Sequence, residues 1–345
     1  MAVGVAIVRL PERRRDVRAL WLEHRLLRLG DFAKPNRPGE CLVRVTLAGI
    51  CGTDLQLLKG YADFAGVPGH EFVGVVEDVS RAEDRHWVGQ RVVGDINIGC
   101  GTCAACRQGV KEHCESREVL GIRLRDGAFA EYLSLPSVNL HPVPDSVGDH
   151  AAVFTEPVAA ACRILEQIEL GPNHQVAVLG DGRMGLLAAQ VLKTTGAAVT
   201  LFGRHEARMA LARELGLDTQ PTPAGPLPAA NRVDVAVDVT GRADGLARAL
   251  DCVRPRGTVV LKTTVHDAGE IATWPLVVDE ITIVGSRCGP FRPALQLLES
   301  GAVRVQPLVT LVTGLDDYQR AFREAASGLK VLFEISGGIH ACHHV

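Results

Sequence analysis

The sequence predicts an α/β fold in which a doubly wound parallel sheet is joined to a second, β-rich domain. Three observations predict it. From about residue 158 to 285, strand-like and helix-like segments alternate with a period of ~30 residues, as parallel βαβ units require. A glycine-rich turn links the first of these strands to its helix. The first ~150 residues differ: short β-branched runs such as 41–47 and 72–79 are broken by Gly and Pro, with little sustained helical periodicity.

Each element follows from its own pattern. Residues 158–168 have helical spacing, and strands are expected at 175–179, 198–202, 233–239, 257–262 and 281–285. Helices at 184–195, 206–215 and 244–253 lie between them, and right-handed crossovers would stack them on both faces of the sheet. The run 221–228 carries four prolines in eight residues, which reads as a loop inside this domain. Beyond residue 290 the alternation stops. A helix at 293–299 and strands at 308–312 and 330–335 are placed to pack back on the first domain.

Composition narrows the function. A chain of 345 residues, 47% hydrophobic, suffices for two domains with a core each. Its 37 basic and 40 acidic residues are mixed along the chain, which argues against a nucleic-acid or membrane partner and for a small-molecule substrate. The apolar start, residues 3–10, precedes the arginines at 13–15, the reverse of signal-peptide order, and no apolar run approaches the ~18 residues of a membrane span. A cytoplasmic location is expected.

Cysteine spacing gives the first chemical signal. Cys100, Cys103, Cys106 and Cys114 form a C-x2-C-x2-C-x7-C run studded with Gly99, Gly101 and Gly109. Four thiolates drawn together by tight turns make the closed sulfur cage that zinc prefers, with no position left for substrate. An iron–sulfur cluster also uses four cysteines, but the dinucleotide features of the same chain supply a different redox partner, so the site is read as structural zinc. Cys41, Cys162, Cys252, Cys288 and Cys342 stand singly and read as buried small hydrophobes.

A dispersed set points to a second metal. Cys51 lies in Gly49-Ile50-Cys51-Gly52-Thr53-Asp54, His70 and Glu71 in Pro68-Gly69-His70-Glu71-Phe72, and Glu156 precedes Pro157. One thiolate, one imidazole and one or two carboxylates make a mixed ligand set, and such a zinc site with an open position is catalytic. Taken alone, each piece is more often an ordinary surface or cap residue.

The dinucleotide signal is Gly180-Asp181-Gly182-Arg183-Met184-Gly185, between a predicted strand and a predicted helix. In that setting Gly180 makes the turn, Gly182 lets a pyrophosphate approach the N–H groups of the helix N-terminus, and Gly185 permits close helix–strand packing. The next strand ends in Gly203-Arg204-His205 in place of the acid that holds the ribose 2′-hydroxyl of NAD. Room at Gly203, with Arg204, His205 or Arg208 to neutralise a 2′-phosphate, favours NADP over NAD.

Together these residues resemble the zinc-dependent medium-chain dehydrogenase/reductase family, which includes alcohol, sorbitol and threonine dehydrogenases. The motifs occur in the family's order over nearly the whole chain. The resemblance implies a GroES-like catalytic domain from residues 1–155 and 290–345, with a Rossmann domain, 156–289, inserted between them. It implies that Cys51 and His70 bind the catalytic zinc, that Glu71 is the carboxylate beside that histidine in polyol-dehydrogenase-like members, and that Glu156 ligates the metal or holds its water. Asp54 is then the partner that orients the histidine, and Thr53 the hydroxyl through which the substrate proton leaves. Two zinc ions per chain and hydride transfer between an alcohol or carbonyl and NAD(P) follow.

Two departures bear on that reading: Leu55 stands where some alcohol dehydrogenases carry a relay histidine, and Gly203 replaces the usual NAD-selecting aspartate. The resemblance further implies a homodimer or homotetramer, with 281–285 the strand suspected of joining subunits. Tyr61, Phe64 and Ile96, near the zinc loops, fit packing as well as a substrate pocket. The His- and Cys-containing tail at 340–344 reads as adventitious. Two other readings stand beside this one: a non-catalytic NADP(H) sensor of the same fold, and a zinc-independent quinone or enoyl reductase, which would have no need of Cys51, His70, Glu71 and Glu156.

Overall fold

The computed structural model describes residues 16–222, 225, 232–264 and 271–336. Six parallel strands form one sheet in the order Asp218–Pro221, Ala198–Gly203, Gln175–Leu179, Val233–Asp238, Val253–Leu261 and Thr282–Gly285. The order reverses between Gln175–Leu179 and Val233–Asp238. Crossovers on either side of that point go to opposite faces, which opens a crevice at the carboxyl ends of the strands.

Side-chain alternation builds a core on each face. Val176 and Val178 pack with Ile164, Leu186 and Val191 on one side, whereas Ala177 and Leu179 pack with Phe202, Ala236 and Val259 on the other. Helices Arg183–Lys193, Glu206–Glu214 and Gly245–Cys252 fall where the periodicity placed them, within a few residues. One strand was missed. Asp218–Pro221 ends on the first residue of the proline run 221–228, and it is tolerated as a strand because it sits at the sheet edge with Pro221 as its last residue. Residues 223, 224 and 226–228 of that run lie outside the described residues.

The second sheet has seven strands, six of them in the order Leu140–Pro142, Arg91–Gly94, Glu71–Val79, Cys41–Gly49, Lys330–Glu334 and Val309–Gly314, with Tyr132–Leu135 also paired to Cys41–Gly49. Chain segments almost 290 residues apart therefore share one sheet. Its interior holds Val43, Val45 and Phe72, with Phe129 and Phe333 packed edge to face at 5.2 Å. A hairpin of Asp16–Glu23 and Leu26–Ala33 turns through His24 and Arg25, both with positive φ (49° and 65°).

Helix Thr155–Gln167 joins the two units. Phe154 and Val158 belong to one apolar cluster with Leu47 and Val73 of the mixed sheet, with Val178 of the parallel sheet and with Leu186 of the helix Arg183–Lys193 packed on it. No helix among the described residues is long and apolar enough to cross a membrane.

Candidate active site

The central strand Cys41–Gly49 ends beside two neighbours. Gly49 is paired with Glu71 on one side and with Leu332 on the other, and the Ile50 N–H donates to the Val331 carbonyl at 2.9 Å. This register brings Cys51, His70, Glu71 and Lys330 to one end of the sheet. Cys51 caps helix Gly52–Leu57, and its N–H donates to Asp54 Oδ2 at 2.7 Å. The other oxygen, Asp54 Oδ1, lies 3.4 Å from His70 Nδ1, long for a hydrogen bond. With Nδ1 turned toward Asp54, Nε2 is the nitrogen left to face a metal.

The ligand atoms of Cys51, His70 and Glu71 lie within 4.8 Å of one another. Glu71 Oε1, His70 Nδ1 and Asp54 Oδ1 are buried with no hydrogen-bond partner. An unpartnered buried carboxylate oxygen beside a thiol and an imidazole is costly by itself and becomes satisfied by a cation, and this donor set suits zinc. Burial opposes a charged His70, but Asp54 and Cys51 outweigh it and raise the ring's pKa well above the usual histidine range.

Lys330 carried no signal in the sequence. It is fully buried, its ammonium contacts Glu71 Oε2, and it lies 5.3 Å from the centre of the Phe154 ring. Gly49 makes the contact possible: a Cβ there would sit 2.5 Å from Glu71 Oε2. Glu156, in the first turn of its helix, is half-buried and falls outside the group of three ligand atoms. Burial pushes its pKa up to about 7; His70 opposes the rise, Glu71 adds to it, and Lys330 and Lys262 oppose it more weakly. The Thr53 hydroxyl is 3.9 Å from Cys51 Sγ. Leu55 and Ile96 belong to the apolar core, and Tyr61 is exposed.

Cys100, Cys103, Cys106 and Cys114 converge as the spacing predicts. Backbone N–H groups point at the sulfurs: Cys103 N to Cys100 Sγ at 3.4 Å, Cys106 N to Cys103 Sγ at 3.5 Å and Cys100 N to Cys114 Sγ at 3.5 Å. Hydrogen bonds from the Thr102 hydroxyl, then from the N–H groups of Thr102 and Cys103, pull the Cys100 thiol down to about 5. Desolvation and the neighbouring thiols push Cys106 up to about 11. Four sulfurs drawn to one place with backbone N–H groups aimed at them suit a cation that would hold all four as thiolates. Of the single cysteines, Cys41, Cys162 and Cys252 are buried, Cys288 is half-buried, and Cys342 lies outside the described residues with the rest of the tail.

At the carboxyl end of Gln175–Leu179, Gly180 turns with φ +122°, and a Cβ on Gly185 would lie 1.8 Å from the Gly180 carbonyl oxygen. Nothing lies within 4 Å of a Cβ built on Gly182, so the N-terminus of the following helix is open to an anion. A cleft of about 340 Å³ runs from there past Asp181, Gly203, Arg204 and His205 to Thr240. Arg183 and Met184 do not line it. Arg183 instead donates to the carbonyls of Ile50 (3.1 Å) and Leu329 (3.2 Å). Arg208, which does line the cleft, donates to the Ser327 carbonyl at 2.5 Å.

Residues 37–145 match the alcohol dehydrogenase GroES-like domain, and residues 184–300 match the zinc-binding dehydrogenase domain. The chain belongs to the zinc-type medium-chain dehydrogenase family. Among relatives of this medium-chain dehydrogenase, D-arabinitol dehydrogenase 1 of Uromyces fabae is 33% identical over 84% of this chain and 87% of its own. The alcohol dehydrogenase RspB of E. coli CFT073, solved with NADH, superimposes with a TM-score of 0.87 at 27% identity, covering 93% of this chain and 99% of its own. A zinc-binding dehydrogenase of Sinorhizobium meliloti 1021, solved with NADP, gives a TM-score of 0.84 at 30% identity, covering 92% and 99%. This medium-chain dehydrogenase is thus an alcohol dehydrogenase-like oxidoreductase.

Proposed function

We propose that this dehydrogenase interconverts a secondary alcohol, polyol or amino alcohol and the matching carbonyl, using a catalytic zinc held by Cys51, His70 and Glu71. Glu156 stands beside that site, and Cys100, Cys103, Cys106 and Cys114 hold a second, structural zinc. The observation that carries the reading is the convergence of a thiol, an imidazole and a carboxylate, one oxygen of which is buried without a partner. The arabinitol dehydrogenase relative supports a polyol-like substrate.

Zinc there supplies Lewis acidity toward the substrate oxygen, and the nicotinamide supplies or accepts the hydride. The protein's own groups do the rest. Thr53 takes the substrate proton beside Cys51, Asp54 fixes the His70 ring, and Lys330 balances the charge of Glu71. Burial raises the Glu156 carboxyl to about 7 in the metal-free protein, and a cation bound beside it would favour the carboxylate. Gly180, Gly182 and Gly185 would hold the dinucleotide at the open helix N-terminus. The expected preference for NADP rests on room at Gly203 with Arg204, His205 or Arg208 to meet a 2′-phosphate; Arg204 is exposed, but the Asp181 carboxylate crowds position 203, and His205 and Arg208 are bonded to Asp181 and the Ser327 carbonyl.

In this proposal residues 1–155 and 290–345 form the catalytic domain around an inserted dinucleotide domain, 156–289, supported by the pairing of Lys330–Glu334 with Cys41–Gly49. Subunits associate as a homodimer or homotetramer through the edge strand Thr282–Gly285, supported by exposed Ile283 and by Trp274, Val277 and Val278 on the adjoining helix. The test is zinc content with NADH and NADPH oxidation over ketones and aldehydes, for the wild type and Cys51→Ala. Two zinc ions per chain, falling to one with loss of turnover in the variant, are expected. One zinc in the wild type, or turnover indifferent to Cys51, defeats the proposal, and cofactor binding without turnover on any substrate favours a sensor.

A further inference from the structure

The acid that reads a ribose 2′-hydroxyl normally stands at the end of the second strand, where this chain has Gly203. The structure fills that space from a different turn. A Cβ at position 203 would lie 2.7 Å from Asp181 Oδ2 and 2.8 Å from Asp181 Cβ, so the Asp181 side chain occupies the volume a strand-end side chain would take. Asp181 Oδ2 accepts the N–H groups of Arg204 and His205, both at 2.7 Å, and His205 Nδ1 lies 2.9 Å from Oδ1 and 3.0 Å from Oδ2. Two successive N–H groups make a seat for an anion, and a carboxylate already sits in it. Burial would raise the pKa of Asp181, but the His205 N–H, the His205 ring and the Arg204 N–H together hold it below the usual range. The side chain is 8% exposed and lines the dinucleotide cleft.

We propose that Asp181 is the specificity-determining residue of the dinucleotide site: it replaces the strand-end acid, accepts the ribose 2′-hydroxyl and repels a 2′-phosphate, so that the chain prefers NAD(H) to NADP(H). This rests on the reading of the chain as a nicotinamide-dependent dehydrogenase. The cations expected to attract a 2′-phosphate are largely committed elsewhere. Of the cations that line the cleft among the described residues, His205 is bonded to Asp181 itself, Arg208 to the Ser327 carbonyl, and Arg242 and Arg248 to Asp244, which leaves the exposed and solvent-screened Arg204. Glycine at 203 and aspartate at 181 belong together, since an acid at 203 would collide with the one already present.

The test is fluorescence titration of the zinc-loaded protein with NADH and with NADPH, without substrate. The wild type is expected to bind NADH at least about tenfold more tightly, and Asp181→Ser to lose that preference by about tenfold or more. Asp181→Asn, which keeps an acceptor oxygen over both N–H groups, is expected to fall between and decides the matter if the serine variant does not fold. The double variant Asp181→Ser/Gly203→Asp moves the acid back to the strand end and is expected to regain the NADH preference, which a merely structural role for Asp181 would not give. An NADPH preference in the wild type, or equal weakening of both cofactors in the Asp181 variants, overturns the assignment while leaving the dehydrogenase reading intact. Failure of the wild type to bind either dinucleotide overturns both.

Discussion

Replacing Lys330 by methionine tests the charge balance beneath the candidate zinc site. Lys330 and Glu71 are each 1% exposed or less, so solvent screening does not soften their interaction. The substitution keeps most of the aliphatic volume and removes only the charge. Glu71 Oε1 already lacks a partner, so the variant leaves the carboxylate with none on Oε2 either. Breaking one side of a buried pair costs about 3–5 kcal/mol, and that is the loss expected for the metal-free protein. Zinc bound beside Glu71 supplies a replacement positive charge, so the loss should shrink in the loaded protein. Urea unfolding of metal-stripped and zinc-loaded samples reads both numbers. The double variant Lys330→Met/Glu71→Gln should recover much of the stability. A metal-free Lys330→Met within about 1 kcal/mol of wild type, or the same loss with and without zinc, refutes the reasoning.

Two further outcomes follow from the geometry. Gly185→Ala places a methyl 1.8 Å from the Gly180 carbonyl oxygen, so it should cost about 1–3 kcal/mol and abolish NADH binding while the zinc content stays unchanged; wild-type NADH affinity would show that the turn can yield. The pKa of Asp181 is depressed in the folded state, so its stabilising effect is present above the unfolded pKa of about 3.9 and is lost as pH falls through the lower folded value. Wild type should therefore exceed Asp181→Asn in urea midpoint at neutral pH, with the gap closing in acid. A gap that widens as pH falls would contradict the assignment.

What could be read from the sequence was local. The βα alternation, the glycine turn and the cysteine run each lie within a short window, where side-chain period or ligand spacing suffices. Elements whose cause lies elsewhere in the chain stayed hidden. Lys330 sits in an ordinary strand-like run, and its partner is 259 residues away. Asp218–Pro221 is polar and ends in proline, so nothing marks it as a strand except the neighbour it pairs with. The first hairpin turns on His24 and Arg25, where the usual Asn-Gly signal for two positive φ values is missing. Gly203 was legible as a missing acid, but the carboxylate that takes its space comes from a different turn and shows only in three dimensions.

The parallel sheet is assembled from a contiguous stretch of chain, whereas strand Cys41–Gly49, whose second edge Tyr132–Leu135 covers only over Cys41–Arg44, must wait for Lys330–Glu334 to pair with its end at Leu47–Gly49. On the ribosome the nucleotide-binding half can thus be complete while the opposite half still exposes an open strand and an uncompensated Glu71. Synthesis of strand Lys330–Glu334 is then what commits the metal-binding half to its native form, and growing chains that stall before residue 330 should be the ones that chaperones and proteases capture.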